Sequence, residues 1–131
     1  MNVDLVSTDW GTVMQRRGSR KLPDAGGWNV FVTFLTGTNN LNPAAQLGLR
    51  GNGDDNWFGW ARSPRLEELR RAWFEAPDEP GQKTICAEMQ RQFWIDVPYL
   101  PLGCYYEATA FRGLDGVRTG FPQFYDVRSV G

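Results

Sequence analysis

Histidine is absent from these 131 residues. That removes the Ser-His and Cys-His nucleophile pairs, imidazole metal sites and the commonest general base. Cysteine is scarce. Cys86 and Cys104 stand 18 positions apart with no Cys-x-x-Cys, and they read as buried thiols, with a disulfide as the second reading. Neither sign of charge is in excess: 14 Lys and Arg face 15 Asp and Glu, a net charge of −1. Such a balance gives no electrostatic case for nucleic acid or a charged membrane surface. No apolar run approaches the roughly 18 residues that a bilayer span needs. Residues 1–20 hold no signal peptide, because Asp4, Asp9, Arg16 and Arg17 interrupt any apolar core. Internal repeats and low-complexity tracts are also missing.

Aromatic residues, in contrast, are plentiful: six Trp, eight Phe and four Tyr. They either fill a core or line a binding surface. The length is that of one ordinary domain, and 41% hydrophobic with 22% charged residues is a globular composition. The organising stretch runs from Gly26 to Pro43. After a glycine pair, Trp28 to Leu35 is apolar, β-branched or aromatic with little alternation, which suits a strand buried on both faces. The polar tail Thr36, Gly37, Thr38, Asn39, Asn40, Leu41, Asn42 then sits at the carboxyl end of that strand, where open α/β sheets bind ligands.

Residues 2–7 alternate and read as a short strand; an opening on a strand with no turn before it is unusual. Thr8 or Asp9 caps a helix over residues 10–17, closed by Gly18. With the strand over 28–35 this is a βαβ rhythm, which predicts an α/β fold with a parallel pair. Residues 44–49 read as one or two helical turns, and residues 51–56 as a flexible turn. Ser63-Pro64 starts a helix over 63–76, with Leu66, Leu69 and Trp73 on one face and Glu67 and Arg71 as a supporting pair. Asp78 caps a second helix over 79–95, with Ile85, Met89 and Phe93 at spacings of four. The two form a hairpin packed on a sheet or on each other. Val97-Pro98 predicts an extended exit. Residues 99–111 read as one bent or two short edge strands, and residues 124–127 as a last strand.

Chemistry-bearing patterns are few. Gly51-Asn52-Gly53 resembles the start of a dinucleotide fingerprint, but Asn56 replaces the third glycine and no helix follows at once. Asp54-Asp55 lacks the spacing and closing Glu of an EF-hand. No cofactor and no metal are therefore expected. Asp4, Asp9 and Glu107 are acids that nothing in the sequence brings together. Trp57, Phe58 and Trp60 fit the face of no single helix or strand, so they plug a core beneath a loop or wall a ligand cleft. Trp10 divides between core and cleft.

The ordered set of Asn2-Val3-Asp4-Leu5, Asp9-Trp10-Gly11-Thr12, Gly26-Gly27-Trp28-Asn29, Leu41-Asn42-Pro43, Trp57-Phe58-Gly59-Trp60, the helix pair and residues 96–102 resembles the C-terminal part of the dipeptide/oligopeptide/nickel class of solute-binding proteins of ABC importers. The order and spacing match along nearly the whole chain. Members are several times this length, with two α/β lobes of the type II periplasmic-binding-protein kind that close on a ligand and pass it to a membrane permease. The resemblance implies a non-enzymatic, periplasmic parent. It implies that residues 1–97 belong to the second lobe, that residues 98–131 cross back to the first, and that the chain is a fragment. The polar tail at the strand's carboxyl end and the aromatics that divide between core and cleft together give the candidate ligand contacts Trp10, Thr36, Gly37, Thr38, Asn39, Asn40, Trp57 and Trp60. One departure stands out. Peptide-binding relatives place an aspartate four residues before the motif proline, to hold the peptide ammonium. Counted back from Pro43, that position is Asn39, and positions that often carry an aromatic are Thr36 and Leu35.

Two other functions compete. A carbohydrate-binding or carbohydrate-active domain would use aromatic platforms and, for catalysis, two carboxylates about 5–10 Å apart. An interaction domain would self-associate through aromatic surface. Convergence of Asp9, Asp54, Asp55 and Glu107 would separate the enzyme from the receptor.

Overall fold

The computed structural model describes residues 2–106, 108, 110–117 and 128–129. It divides into two units, Met1–Pro98 and Tyr99–Gly131. Among the described residues, no helix is long and apolar enough to cross a membrane.

In the first unit, helix α1 spans Trp10–Arg16. Asp9 caps it: the carboxylate accepts from the Thr12 amide at 3.1 Å and from the Thr12 hydroxyl at 2.6 Å. A capping acid satisfies a first-turn amide that has no partner within the helix. The end of α1 is then sewn to the following run. Arg16 donates to the Gly27 carbonyl at 2.9 Å, and the Trp28 ring N–H donates to the Arg17 carbonyl at 3.2 Å. Gly27 is needed there, since a Cβ would lie 1.8 Å from the Lys21 carbonyl oxygen.

Residues 30–35 alternate in burial: Phe31, Thr33 and Leu35 are half-buried, while Val30, Val32 and Phe34 are exposed. The expectation of burial on both faces is thus met on one face only. Neither this run nor residues 2–7 carries strand hydrogen bonds, so the parallel pair is not formed among the described residues. A strand exists through its neighbours, and an isolated two-stranded pairing is marginal in water.

The helix pair forms where the caps place it. Helix α2 is Pro64–Glu75 with Ser63 as cap, and α3 is Glu79–Asp96 with Asp78 as cap. They pack on each other. Leu66, Leu69 and Met89 are buried together, with Leu49 and Ile85 against them, and Phe93 is buried further along α3. Arg65 bridges the two helices, reaching Glu68 at 2.9 Å and Glu88 at 3.0 Å. The buried Ser63 hydroxyl accepts from the Leu66 amide and donates to Asp96, joining the start of α2 to the end of α3. Glu67 does not pair with Arg71. It accepts from the Gly51 amide at 2.7 Å and faces Arg70 at 3.8 Å, because the loop before α2 offers a backbone donor.

That loop explains the glycines which looked like a nucleotide motif. Gly51 abuts Ser63, whose backbone oxygen would be 2.4 Å from a Cβ, and Gly53 has φ +66. Asn56 knots the loop, donating to the Arg50 and Ala61 carbonyls and accepting from the Trp57 amide. Val97 departs from the extended exit. It takes a left-handed conformation, φ 45 and ψ 58, and its amide closes α3 on the Phe93 carbonyl at 2.8 Å. Its positive ψ still avoids the right-handed helical region that the following proline disfavours.

In the second unit, β1 (Leu114–Asp115) pairs antiparallel with β2 (Arg128–Ser129). The edge strands expected over 99–111 are not formed among the described residues of that stretch. Glu107 and the strand expected over 124–127 lie outside the described residues. Cys86 and Cys104 are both free thiols, half-buried and exposed respectively, so the buried reading does not hold for Cys104.

Candidate functional site

The residues expected to wall a ligand site gather around Arg17. Its guanidinium carbon lies 4.3 Å from the ring centre of Phe58, 5.7 Å from Trp57 and 5.9 Å from Trp10. Rings attract a cation through their negative faces, so one arginine draws α1 and the loop before α2 together. Its Nε is buried with no hydrogen-bond partner among the described residues. The ring cluster continues outward. Trp10 stacks on Phe34 at 5.3 Å, Trp28 meets Phe31 at 4.7 Å edge-on, and Phe31 meets Trp57 at 6.1 Å. Trp60 lies 6.1 Å from Trp28, and Arg20 lies over Trp60 at 4.4 Å. Trp10, Trp57 and Trp60 therefore belong to one cluster. Trp57 and Trp60 are half-buried and Trp10 is exposed, so the rings both pack and present surface. Sequence reasoning missed Arg17, Trp28, Phe31 and Phe34 as members. Two arginines among so many rings were the available signal.

Thr36 to Asn40 form a 3-10 turn, Gly37–Asn40, directly after the apolar run. The Thr36 and Thr38 hydroxyls are 2.9 Å apart, and the Asn39 amide donates to the Thr36 carbonyl at 3.0 Å. Asn40 is held by the side chain of buried Gln46. Asn39 differs: it is exposed, and its side-chain amide has no hydrogen-bond partner among the described residues. The turn thus offers hydroxyls and one uncommitted amide, with no charge.

Two of the candidate acids, Asp9 and Asp54, are committed to other partners. Asp9 is taken up by Thr12, and the two hydrogen bonds from Thr12, led by the hydroxyl, hold its carboxyl below the ordinary value. Asp54 is held low by Arg20, at 2.6 Å, with Arg62 at 3.5 Å adding to it. No group of three or more Cys, Asp or Glu among the described residues is placed to hold a metal.

No protein-family model matches this chain. Among curated proteins it is similar to the binding component of an ABC importer, the class that its ordered motifs resemble. That relative is the probable peptide ABC transporter periplasmic-binding protein y4tO of Sinorhizobium fredii (strain NBRC 101917 / NGR234), 34% identical over 103 residues, which is 79% of the chain. The chain spans about a fifth of the relative's length, 19%. The resemblance read in the sequence is thereby borne out. The relative is a transport binding protein, not an enzyme.

Proposed function

We propose that this chain contributes ligand-contacting surface to an extracytoplasmic solute-binding protein of an ABC importer, as part of a type II α/β lobe. In this reading the parent works in the periplasm and hands a peptide-like or other small solute to a permease. The similarity to a peptide transporter's binding protein supports the class. The observation that carries the site is the polar turn Thr36–Asn40, which follows the aromatic run and exposes an uncommitted Asn39 amide. Trp10, stacked on Phe34 just before that turn, supplies the neighbouring apolar wall, and Trp57 joins it through Arg17. An amide has a donor and an acceptor but no charge, so it suits a neutral or anionic ligand group and leaves an ammonium poorly compensated.

Calorimetry with dipeptides, free and N-acetylated, tests this. Acetylated peptides should bind at least as well as free ones. Asn39→Asp should shift the ratio toward free amines by about tenfold or more, as expected for a charge-assisted hydrogen bond. Free-amine peptides binding about tenfold tighter, with the ratio unmoved by Asn39→Ala, would overturn the assignment.

A further inference from the structure

A cavity of about 530 Å³ opens at the other end of the apolar run from the Thr36–Asn40 turn, lined by Ser19, Arg20, Lys21, Trp28, Asn29 and Trp60. Six residues, 30–35, lie between Asn29 and Thr36, and no residue of the Thr36–Asn40 turn lines the cavity. The cavity is therefore separate from the turn, and its assignment does not rest on the reading above.

Its walls divide by chemistry. Trp28 and Trp60 give an apolar side, while Asn29, Ser19 and two cations give a polar one, and no acid lines it. The Arg20 charge is already answered by Asp54 at 2.6 Å. Lys21 is not answered. Of the two lysines in the chain, Lys83 pairs with Glu79 at 2.8 Å, whereas Lys21 has no carboxylate within salt-bridge reach among the described residues. The cavity therefore carries one uncompensated positive charge beside an indole wall.

The backbone is bent to hold that wall. Trp60 has φ 50, a conformation that large side chains rarely adopt, after Gly59 at φ 98, and its amide closes the turn on the Trp57 carbonyl at 2.9 Å. Such a strained position persists only where its surroundings hold it, and strain of this kind clusters at ligand sites. Here Arg20 and Trp28 are the surroundings that hold it.

We infer that this cavity is a binding site for a small monoanion with a compact apolar body, an aryl or alkyl carboxylate, whose carboxylate meets Lys21 and whose apolar part lies against Trp28 and Trp60. A dianion would bring a second negative charge that no free cation of the lining answers. A neutral apolar molecule would leave Lys21 as it is and gain only the ring contact.

The test is titration of the chain with phenylacetate, followed by the indole N–H signals in nitrogen-15 NMR, with 2-phenylethanol as the neutral counterpart. Saturable shifts are expected at Trp28 and Trp60 and not at Trp73. Phenylacetate should bind more tightly than the alcohol. Lys21→Gln should weaken phenylacetate by about threefold or more, the scale of an exposed ion pair, and leave the alcohol unchanged. Lys83→Gln should change neither, and Asn39→Asp should leave phenylacetate binding intact, which separates this site from the turn. Lys21 is exposed, so its variant keeps the fold, and the unperturbed Trp73 signal verifies that. Absence of a saturable shift, equal binding of the alcohol, or wild-type affinity in Lys21→Gln would each overturn the assignment.

Discussion

Asp9 shows what a single residue contributes and how pH reaches it. Its carboxylate is stabilised chiefly by the Thr12 hydroxyl and next by the Thr12 amide, so its folded value lies below the ordinary one. A depressed acid favours the folded state while ionised. That contribution is complete above the ordinary carboxylate value and is lost as pH falls through the depressed folded value. Carboxyl NMR titration should find Asp9 ionising below the ordinary range, and Thr12→Val should move it upward; no change in that variant would remove the hydroxyl as the cause. The cap was legible because donor and acceptor lie three residues apart. Arg17 was not. Its rings come from positions 10, 57 and 58, and their meeting depends on a loop held by the Asn56 side chain, which no local pattern announces.

At the scale of elements, α2 and α3 were readable because each begins with its own cap and repeats its apolar face at helical spacing. Leu66 is their centre, fully buried between Leu69 and Met89. Leu66→Ala should reduce unfolding stability by about 2–5 kcal/mol, measured by denaturant titration, because the lost methyl groups leave a cavity in a small core. A loss within about 0.5 kcal/mol, typical of surface sites, would mean that the two helices do not carry the cooperative unit. Residues 2–7 and 28–35 show the opposite case. Their composition favours strand, and residues 30–35 keep the alternation of one, yet pairing needs neighbours that local sequence cannot supply. The stretch Thr36–Asn40 was legible as a polar break after the apolar run, but its 3-10 form was not, since glycine, threonine and asparagine favour turns without naming one.

For the whole molecule, the question is what the uncovered apolar surface does. Val30 is 81% exposed and Val32 69%, and they form the bare side of the run whose other side packs on the rings through Phe31. Val3 and Leu5 are also exposed at 60% and 85%. Both runs have their backbone donors and acceptors outside any ladder among the described residues, so surface and hydrogen-bonding groups are exposed together. That combination is a template for pairing with another strand. We expect the isolated chain to self-associate at about 100 µM, within the range where exposed apolar surface and strand edges drive association. Sedimentation velocity should show a concentration-dependent rise in mass. Val32→Lys should shift it toward monomer, because a charge on the apolar face opposes close pairing. The helix pair lies outside this surface, so the variant should keep the helical circular dichroism of the parent chain. A strict monomer at that concentration, with a cooperative thermal transition, would mean that the bare face is tolerated in water. Association that persists unchanged in Val32→Lys would move the contact elsewhere, to the exposed Leu100, Leu102, Tyr105 and Tyr106 of the second unit, and Leu102→Lys would then be the variant that dissolves it.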